Sequence, residues 1–221
     1  MVSSVLAVAA KDATQELRRR VATLAVLFFA ATALALVSYA IGPFGLPEDD
    51  RPPLQAALFW IILFFAAATG LPRAFVQEEE TGTLLALRKT LPGSVVFAGK
   101  ALFNFALFLA IAAVVVPGFL LLLDWKIASW GLLAASVLAG GYGLSVVSTF
   151  LSALTARASQ KNVLFVLVAF PLVLPLLVTA IAATLEAARG GEAWMPLRVL
   201  IAYDGAASGA AYLLAETAWE D

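Results

Sequence analysis

The sequence predicts an all-α integral membrane protein with six transmembrane helices in a single domain, residues 1–221. Three observations support this fold class. First, 62% of the residues are apolar and only 13% are charged, about half the charged fraction of typical soluble domains. Second, the apolar runs are long and continuous, which favours helices over the short alternating segments of a membrane β-barrel. Third, polar and charged stretches separate these runs, as loops separate the spans of a helical bundle.

The N-terminal segment, residues 4–20, predicts a helix that lies in the plane of the membrane. It begins with apolar residues and ends with acidic and basic ones, including Arg18, Arg19 and Arg20. This order is the reverse of a secretory signal peptide, in which a basic region precedes the apolar one. We expect the helix to lie at the cytoplasmic surface and to lead into the first span.

Six apolar runs follow, and proline, glycine or charged residues end each of them. The predicted spans are residues 21–41, 54–71, 101–123, 127–154, 163–185 and 199–217. Asp204 interrupts the last span, and a charge near mid-membrane costs roughly 3 kcal/mol. The alternative is a short surface helix from Leu197 to Tyr203, with Asp204 as the N-cap of a final span.

The distribution of basic residues predicts the orientation of the chain. With six spans, ten of the fourteen basic residues fall on one face of the membrane, and the other four fall on the opposite face. Because basic residues are enriched in cytoplasmic loops, this pattern places both termini in the cytoplasm. The four residues on the outer face are Arg51, Lys126, Arg189 and Arg198.

The longest charged interruption, residues 73–100, lies between spans two and three. It carries four basic and three acidic side chains, and its part from Glu78 to Leu91 predicts a short cytoplasmic helix. Leu84 and Leu87 share one face of that helix with Leu91, and a proline-glycine pair ends it. A polar helix with one apolar stripe suits docking to a soluble partner, with an ordinary solvated loop as the alternative.

The segment Gly93–Lys100 has a superficial likeness to a phosphate-binding P-loop. One extra residue separates its two glycines, Ala101 replaces the required serine or threonine, and no strand is predicted before it. We therefore expect no nucleotide on this chain, and an ATPase that drives it would be a separate chain. Lys100 is interpreted as an interfacial anchor at the start of span three.

Two patterns within the spans concern helix shape and packing. Pro171 and Pro175 lie one turn apart in span five, and each removes a backbone hydrogen bond, so they predict either a static bend or a hinge. Small residues recur every four residues in span four, which favours close helix packing, with a dimer interface or a sliding contact as alternatives. These small residues are Gly131, Ala135, Ala139 and Gly143, with Gly140 and Gly141 beside them.

Few residues suit catalysis or metal binding. The chain has no histidine and no cysteine, which are the usual metal ligands, haem ligands and neutral-pH proton carriers. No carboxylate pair or nucleophile–base arrangement stands out either, so we expect no metal site and no catalytic site. Asp204 is the one acid expected inside the membrane, where the alternative to helix capping is a functional or partner-facing carboxylate.

Several motifs resemble those of a known family. The run Arg73-x-Phe75 to Leu84, which includes Glu78-Glu79-Glu80-x-Gly82-Thr83, is similar to the loop after span two in ABC-2-type permeases. Further matching elements are Lys11-Asp12, Phe170-Pro171-Leu172 with Pro175, and Ala202-Tyr203-Asp204. Together they identify the chain as similar to the haem exporter protein B (CcmB) family of cytochrome c maturation. The family usually has Ala-Phe-Asp in the last element, so Tyr203 is a departure.

The resemblance implies a permease subunit in a bacterial inner-membrane complex. Its partners would be a cytoplasmic ATPase (CcmA-like) that hydrolyses ATP, a haem-handling membrane protein (CcmC-like) and a small membrane protein (CcmD-like). The complex would serve a periplasmic haem chaperone (CcmE-like). The resemblance also implies a coupling helix seated in a groove of the ATPase, formed by Glu78, Glu79, Gly82, Thr83, Leu84 and Leu87.

Haem is implied as a cargo of the complex rather than as a cofactor of this chain. Without histidine or cysteine, and with two methionines, tyrosine is the remaining good axial ligand. We therefore expect a coupling role, with the passage of unligated haem as an alternative.

Two other hypotheses for the function remain. One is an ABC-2-type exporter of a lipid, drug or other small hydrophobic substrate. The other is a membrane-embedded enzyme, which the lack of paired catalytic groups disfavours.

Overall fold

The computed structural model describes residues 2–18, 20–41, 47, 50–70, 78, 87, 89–155, 161–191 and 194–220. Within these ranges no strand occurs, and the predicted all-α class is confirmed. The long helices are α1 Val2–Arg18, α2 Arg20–Ile41, α3 Arg51–Gly70, α4 Gly93–Leu122, α5 Trp130–Thr155, α6 Lys161–Arg189 and α7 Trp194–Glu220.

Five of these helices are long and apolar enough to cross a membrane, so the chain is a multi-pass membrane protein. Their membrane-compatible stretches are Thr23–Ile41, Arg51–Thr69, Gly93–Leu122, Trp130–Leu154 and Ala169–Arg189. They correspond to the first five predicted spans. The sixth predicted span, 199–217, falls within α7, which is 27 residues long. A helix of that length extends for about 40 Å, but α7 is less apolar than the other five.

The start of α4 differs from the prediction. This helix begins at Gly93 rather than at residue 101, so the end of the predicted loop 73–100 forms its first two turns. Pro92 precedes it in an extended conformation, with φ −60° and ψ 146°. A proline at this position lacks only a backbone N–H that the first turn of a helix leaves unpaired in any case.

Helix α7 runs without interruption from Trp194 to Glu220. Asp204 therefore lies in the interior of a helix, with more than two turns on each side of it. The alternative of a broken last span, in which Asp204 caps a second helix, is wrong because an N-cap residue must have a non-helical backbone.

Helix α5 lies at the centre of the bundle, and its glycines allow large aromatic side chains to approach its backbone. The buried share of its span is 67%, compared with 17% for α2. A Cβ atom at Gly140 would collide with the ring of Trp60, and one at Gly141 would collide with Phe108. Trp60 is fully buried, and its indole N–H donates to Thr184 Oγ1 at 2.9 Å. These contacts support close packing at Gly140 and Gly141, whereas a Cβ atom at Gly131, the first residue of the predicted stripe, would meet nothing within 4 Å.

We expect the substitution Gly140→Ala to lower the free energy of unfolding by about 1–3 kcal/mol, because the added methyl group overpacks the site of Trp60. Unfolding in detergent micelles, followed by tryptophan fluorescence, measures the change. Gly131→Ala is the matched control on the same helix, since a Cβ atom there meets nothing within 4 Å. Equal destabilisation in the two variants would contradict this account of α5.

Candidate functional site

The contact between α1 and the start of α4 forms the first part of the site. Helix α1 buries Val8 and Asp12, which lie one turn apart on one face, and exposes Leu6 and Leu17. Gly99 of α4 approaches α1 so closely that a Cβ atom on it would meet the side chain of Val8. This approach brings Asp12 beside the second turn of α4.

Four charged side chains meet where α1, the loop before α4 and α4 itself come together. We call Lys11, Asp12, Glu78 and Lys100 the ion cluster. Lys100 Nζ lies 3.1 Å from Asp12 Oδ2 and 3.3 Å from Glu78 Oε1. Lys11 Nζ contacts Glu78 Oε1 and lies 3.6 Å from Asp12 Oδ1. Each carboxylate therefore faces both ammonium groups.

The ion cluster is buried, and the charges of its four described members balance. The side chains of Lys100, Glu78 and Asp12 are 1%, 4% and 7% exposed, whereas that of Lys11 is 34% exposed. Burying a single charge costs several kcal/mol, and here two positive and two negative groups offset that cost for one another. Because loss of any one group would leave a buried charge uncompensated, the cluster holds α1, the loop and α4 together.

Lys100 is therefore not the interfacial anchor that the sequence predicted. Its side chain is enclosed by protein and pairs with Asp12 and Glu78. The segment Gly93–Lys100 is regular α-helix, in which most backbone N–H groups bond to carbonyls of the same helix and cannot surround a phosphate. The rejection of a P-loop at this position is thus supported.

A second polar contact lies one turn further along α4. Asn104 Nδ2 donates to Thr149 Oγ1 of α5 at 2.7 Å, and both side chains are buried. Thr149 in turn donates to the carbonyl of Ser145 at 2.6 Å. Since Lys100 and Asn104 lie on the same face of α4, that face connects the ion cluster to the central helix of the bundle.

The structure describes two of the six predicted coupling residues, Glu78 and Leu87. Glu78 points inward into the ion cluster. Leu87 is partly buried, and its carbonyl accepts a hydrogen bond from the backbone N–H of Leu91 at 3.0 Å. Leu91 packs on a small core formed by Val96, Phe97, Val146 and Ala211. The other four predicted coupling residues lie outside the described residues, namely Glu79, Gly82, Thr83 and Leu84.

The remaining predicted site residues lie together between α6 and α7. The hydroxyl of Tyr203 donates to the carbonyl of Leu172, which directly follows Pro171. Asp204 is 6% exposed and faces α5 and α6, where Gly143 and Leu176 lie against its carboxyl group. Its Oδ1 atom has no hydrogen-bond partner among the residues that the structure describes. The Tyr-Asp element thus packs on the proline segment of α6.

Sequence reasoning missed the role of Lys11, Asp12 and Lys100. It used Lys11 as a cytoplasmic basic residue, Asp12 as part of the charged end of the surface helix and both as part of a resemblance, and it assigned Lys100 to the membrane interface. One signal was available: Val8 and Asp12 share a face of α1, so an acid lies on the face that a surface helix buries. The pairing of Asp12 with Lys100 could not be predicted from the sequence, because Lys100 is 88 residues away in the chain.

Comparisons with known proteins find relatives of this chain. A family model described as "CcmB protein" matches residues 3–217. A protein named "Heme exporter protein B" from Rhodobacter capsulatus is 30% identical over 178 residues, which cover 79% of each chain. A second protein with that name, from Bradyrhizobium diazoefficiens, is 29% identical over 164 residues, which cover 74% of this chain and 72% of the relative.

We expect Lys100→Met to lower the free energy of unfolding by about 3–5 kcal/mol, because among the described residues it leaves Asp12 and Glu78 to share Lys11 in a buried site. The double variant Lys100→Met with Asp12→Leu restores the charge balance and should recover part of the loss. Lys89→Met, at an exposed position of the same segment, is the control. A double variant less stable than Lys100→Met alone would contradict the charge-balance argument.

Proposed function

The chain belongs to the CcmB protein family, and on that basis we propose that it is the membrane subunit of an ABC transporter-type complex for cytochrome c maturation. In this complex a partner ATPase hydrolyses ATP, and the chain converts the motion of that partner into release of a haem-loaded periplasmic chaperone. The observation that carries the proposal is the ion cluster, because it attaches the loop between α3 and α4 to two helices at once.

The ion cluster supplies a mechanical connection for this role. Glu78 belongs to the loop, Asp12 to α1 and Lys100 to α4, so a displacement of the loop acts on both helices. Buried ion pairs tolerate little separation, since the cost of an unpaired buried charge is several kcal/mol. The bond from Asn104 to Thr149 then links α4 to α5. In the proposal, Glu78 and the three helices therefore move as a rigid unit.

The ATPase contacts the outward side of the same loop. In the proposal, Glu79, Gly82, Thr83, Leu84 and Leu87 form a coupling helix in a groove of the partner. Glu78 has the opposite task, because its side chain is directed inward and anchors that helix to the bundle. A coupling element needs both an anchored side and a contacting side.

The proposed topology is the one that the basic residues predict, and it agrees with this role. The chain spans the bacterial inner membrane six times, with α7 as the last span and both termini in the cytoplasm. This arrangement puts α1, the loop and the ATPase on one side of the membrane. It puts the connection between α4 and α5 on the side of the periplasmic chaperone.

Haem enters the proposal as cargo of the partners. The chain contains no histidine or cysteine, so the usual strong axial ligands for haem iron are absent from it. A haem-handling membrane protein (CcmC-like), a small membrane protein (CcmD-like) and the chaperone (CcmE-like) hold or move the haem. This chain then contributes motion, and ATP binds to the CcmA-like partner.

A second candidate function is export of a lipid or another small hydrophobic substrate. A cavity of about 350 Å³ between α1, α4, α5 and α7 favours it. Phe97, Phe105, Tyr142 and Tyr212 supply aromatic surface to this cavity, and apolar pockets of this size hold small ligands.

Deletion of the gene separates the two functions. Under the cytochrome c proposal, we expect the deletion strain to lose all c-type cytochromes, because unreleased chaperone cannot deliver haem. Haem staining of membrane and periplasmic proteins on gels measures the loss, and b-type cytochromes serve as the control for haem supply. Normal c-type cytochromes in the deletion strain would contradict the proposal and favour the exporter.

Substitution in the loop tests the ATPase contact. We expect Glu79→Lys and Leu84→Asp to reduce recovery of the ATPase on co-purification by about tenfold or more, as for a hot-spot contact. Arg198→Glu is the control, since Arg198 is exposed on α7 at the opposite predicted face. Unchanged recovery would contradict the assignment, as would labelling of Glu79→Cys from outside intact cells.

A further inference from the structure

The segment of α6 from Pro171 to Pro175 is a weak part of its helix. Neither proline has a backbone N–H, so the carbonyl of Pro171 lacks the donor that residue 175 would normally provide. On the C-terminal side, Thr179 Oγ1 donates to the carbonyls of Pro175 and Leu176 at 2.8 and 2.9 Å. A helix with missing hydrogen bonds takes its path from the contacts around it.

Helix α7 contacts α6 within this segment and just beyond it, through two consecutive residues. Tyr203 donates its hydroxyl to the carbonyl of Leu172, at the start of the segment. Asp204 Oδ1 and the Cδ1 methyl of Leu176, just past the end of the segment, each lie 2.2 Å from the position of a Cβ atom at Gly143, so these two atoms are at most 4.4 Å apart. The two contacts are four residues apart on α6, so together they hold both ends of the weak turn.

The carboxyl group of Asp204 fits against α5 because residue 143 is a glycine. A Cβ atom at Gly143 would collide with Asp204 Oδ1 and with the side chain of Leu176. The carboxyl group therefore occupies a notch where α5, α6 and α7 meet. Oδ1 has no hydrogen-bond partner among the described residues, so packing holds the carboxyl group in this notch. Because a buried polar atom without a partner is unfavourable, the free energy that keeps Asp204 in the notch is reduced.

We propose that Tyr203 and Asp204 form a latch on α6, which fixes the path of the proline segment while it is closed and releases it when it opens. Tyr203 supplies the directed hydrogen bond. Asp204 supplies a contact that is tight but carries an unsatisfied atom, so the latch can open. The latch rests on the proposed function only for its consequence, which is that α6 changes shape during coupling.

Distance measurements between α6 and α7 test the latch directly. The chain has no cysteine, so spin labels can be placed on cysteines introduced at Val178 and Ile201, which are 57% and 56% exposed. The full chain in lipid nanodiscs should show one distance population by pulsed electron resonance. Tyr203→Phe, which removes one oxygen atom, and Gly143→Ala, which fills the notch, should each add a second population.

Two control variants remove or add comparable groups elsewhere. Tyr142→Phe deletes the hydroxyl bond to Ser208 at 3.0 Å, which joins α5 to α7 outside the proline segment. Gly131→Ala adds a methyl group to α5 in open space. Both controls should keep a single distance population. An unchanged population in Tyr203→Phe overturns the latch, as does a second population in both controls, because any lost contact would then loosen the bundle.

The consequence for coupling is measured separately, by the yield of c-type cytochromes in the same variants. We expect Tyr203→Phe to reduce it about two- to tenfold, in the range for residues that carry coupling between remote sites. Altered distances with a normal yield would overturn the role of the latch in coupling. Failure of the proposed function itself gives a different result, which is normal cytochromes when the whole gene is deleted.

Discussion

The buried ion cluster is the interaction on which the arrangement of this chain depends. Two lysines and two acids come from three separate parts of the sequence, and three of the four are almost fully enclosed. None of them could be buried alone, because the desolvation of one charge would exceed the stabilisation that nearby apolar contacts provide. Charge balance therefore determines how α1, the loop and α4 are placed together.

Helix α5 connects this cluster to the opposite part of the bundle. On one side it receives the bond from Asn104, one turn beyond Lys100. On another side its Gly143 forms the notch in which Asp204 is seated. A helix with so many small residues can contact several neighbours at the distance of backbone packing. Asn104, one turn beyond the ion cluster, and Asp204, beside the proline segment of α6, thus both contact the same helix.

The chemistry of the described residues agrees with the proposed role in transmitting motion. The main polar features are the ion cluster and the hydrogen bonds from Asn104 through Thr149 to Ser145, and α6 contains two prolines. Each of these features determines how the helices are placed relative to one another. The apolar cavity beside α1 is the feature that the coupling role leaves without a use, and it is the reason that the exporter function is kept as a second candidate.

Sequence alone determined the membrane class, the places of five spans, the close packing of α5 and the family resemblance, because each depends on local composition or on motifs. The start of α4 at Gly93 and the continuity of α7 through Asp204 were not accessible in this way, since tertiary packing stabilises those turns despite their polar residues. The pairing of Lys100 with Asp12, 88 residues away, and the seat of Asp204 against Gly143 were decided only by the tertiary structure. A buried charge needs a partner, but the sequence contains several candidates, and only the packing of the helices selects one.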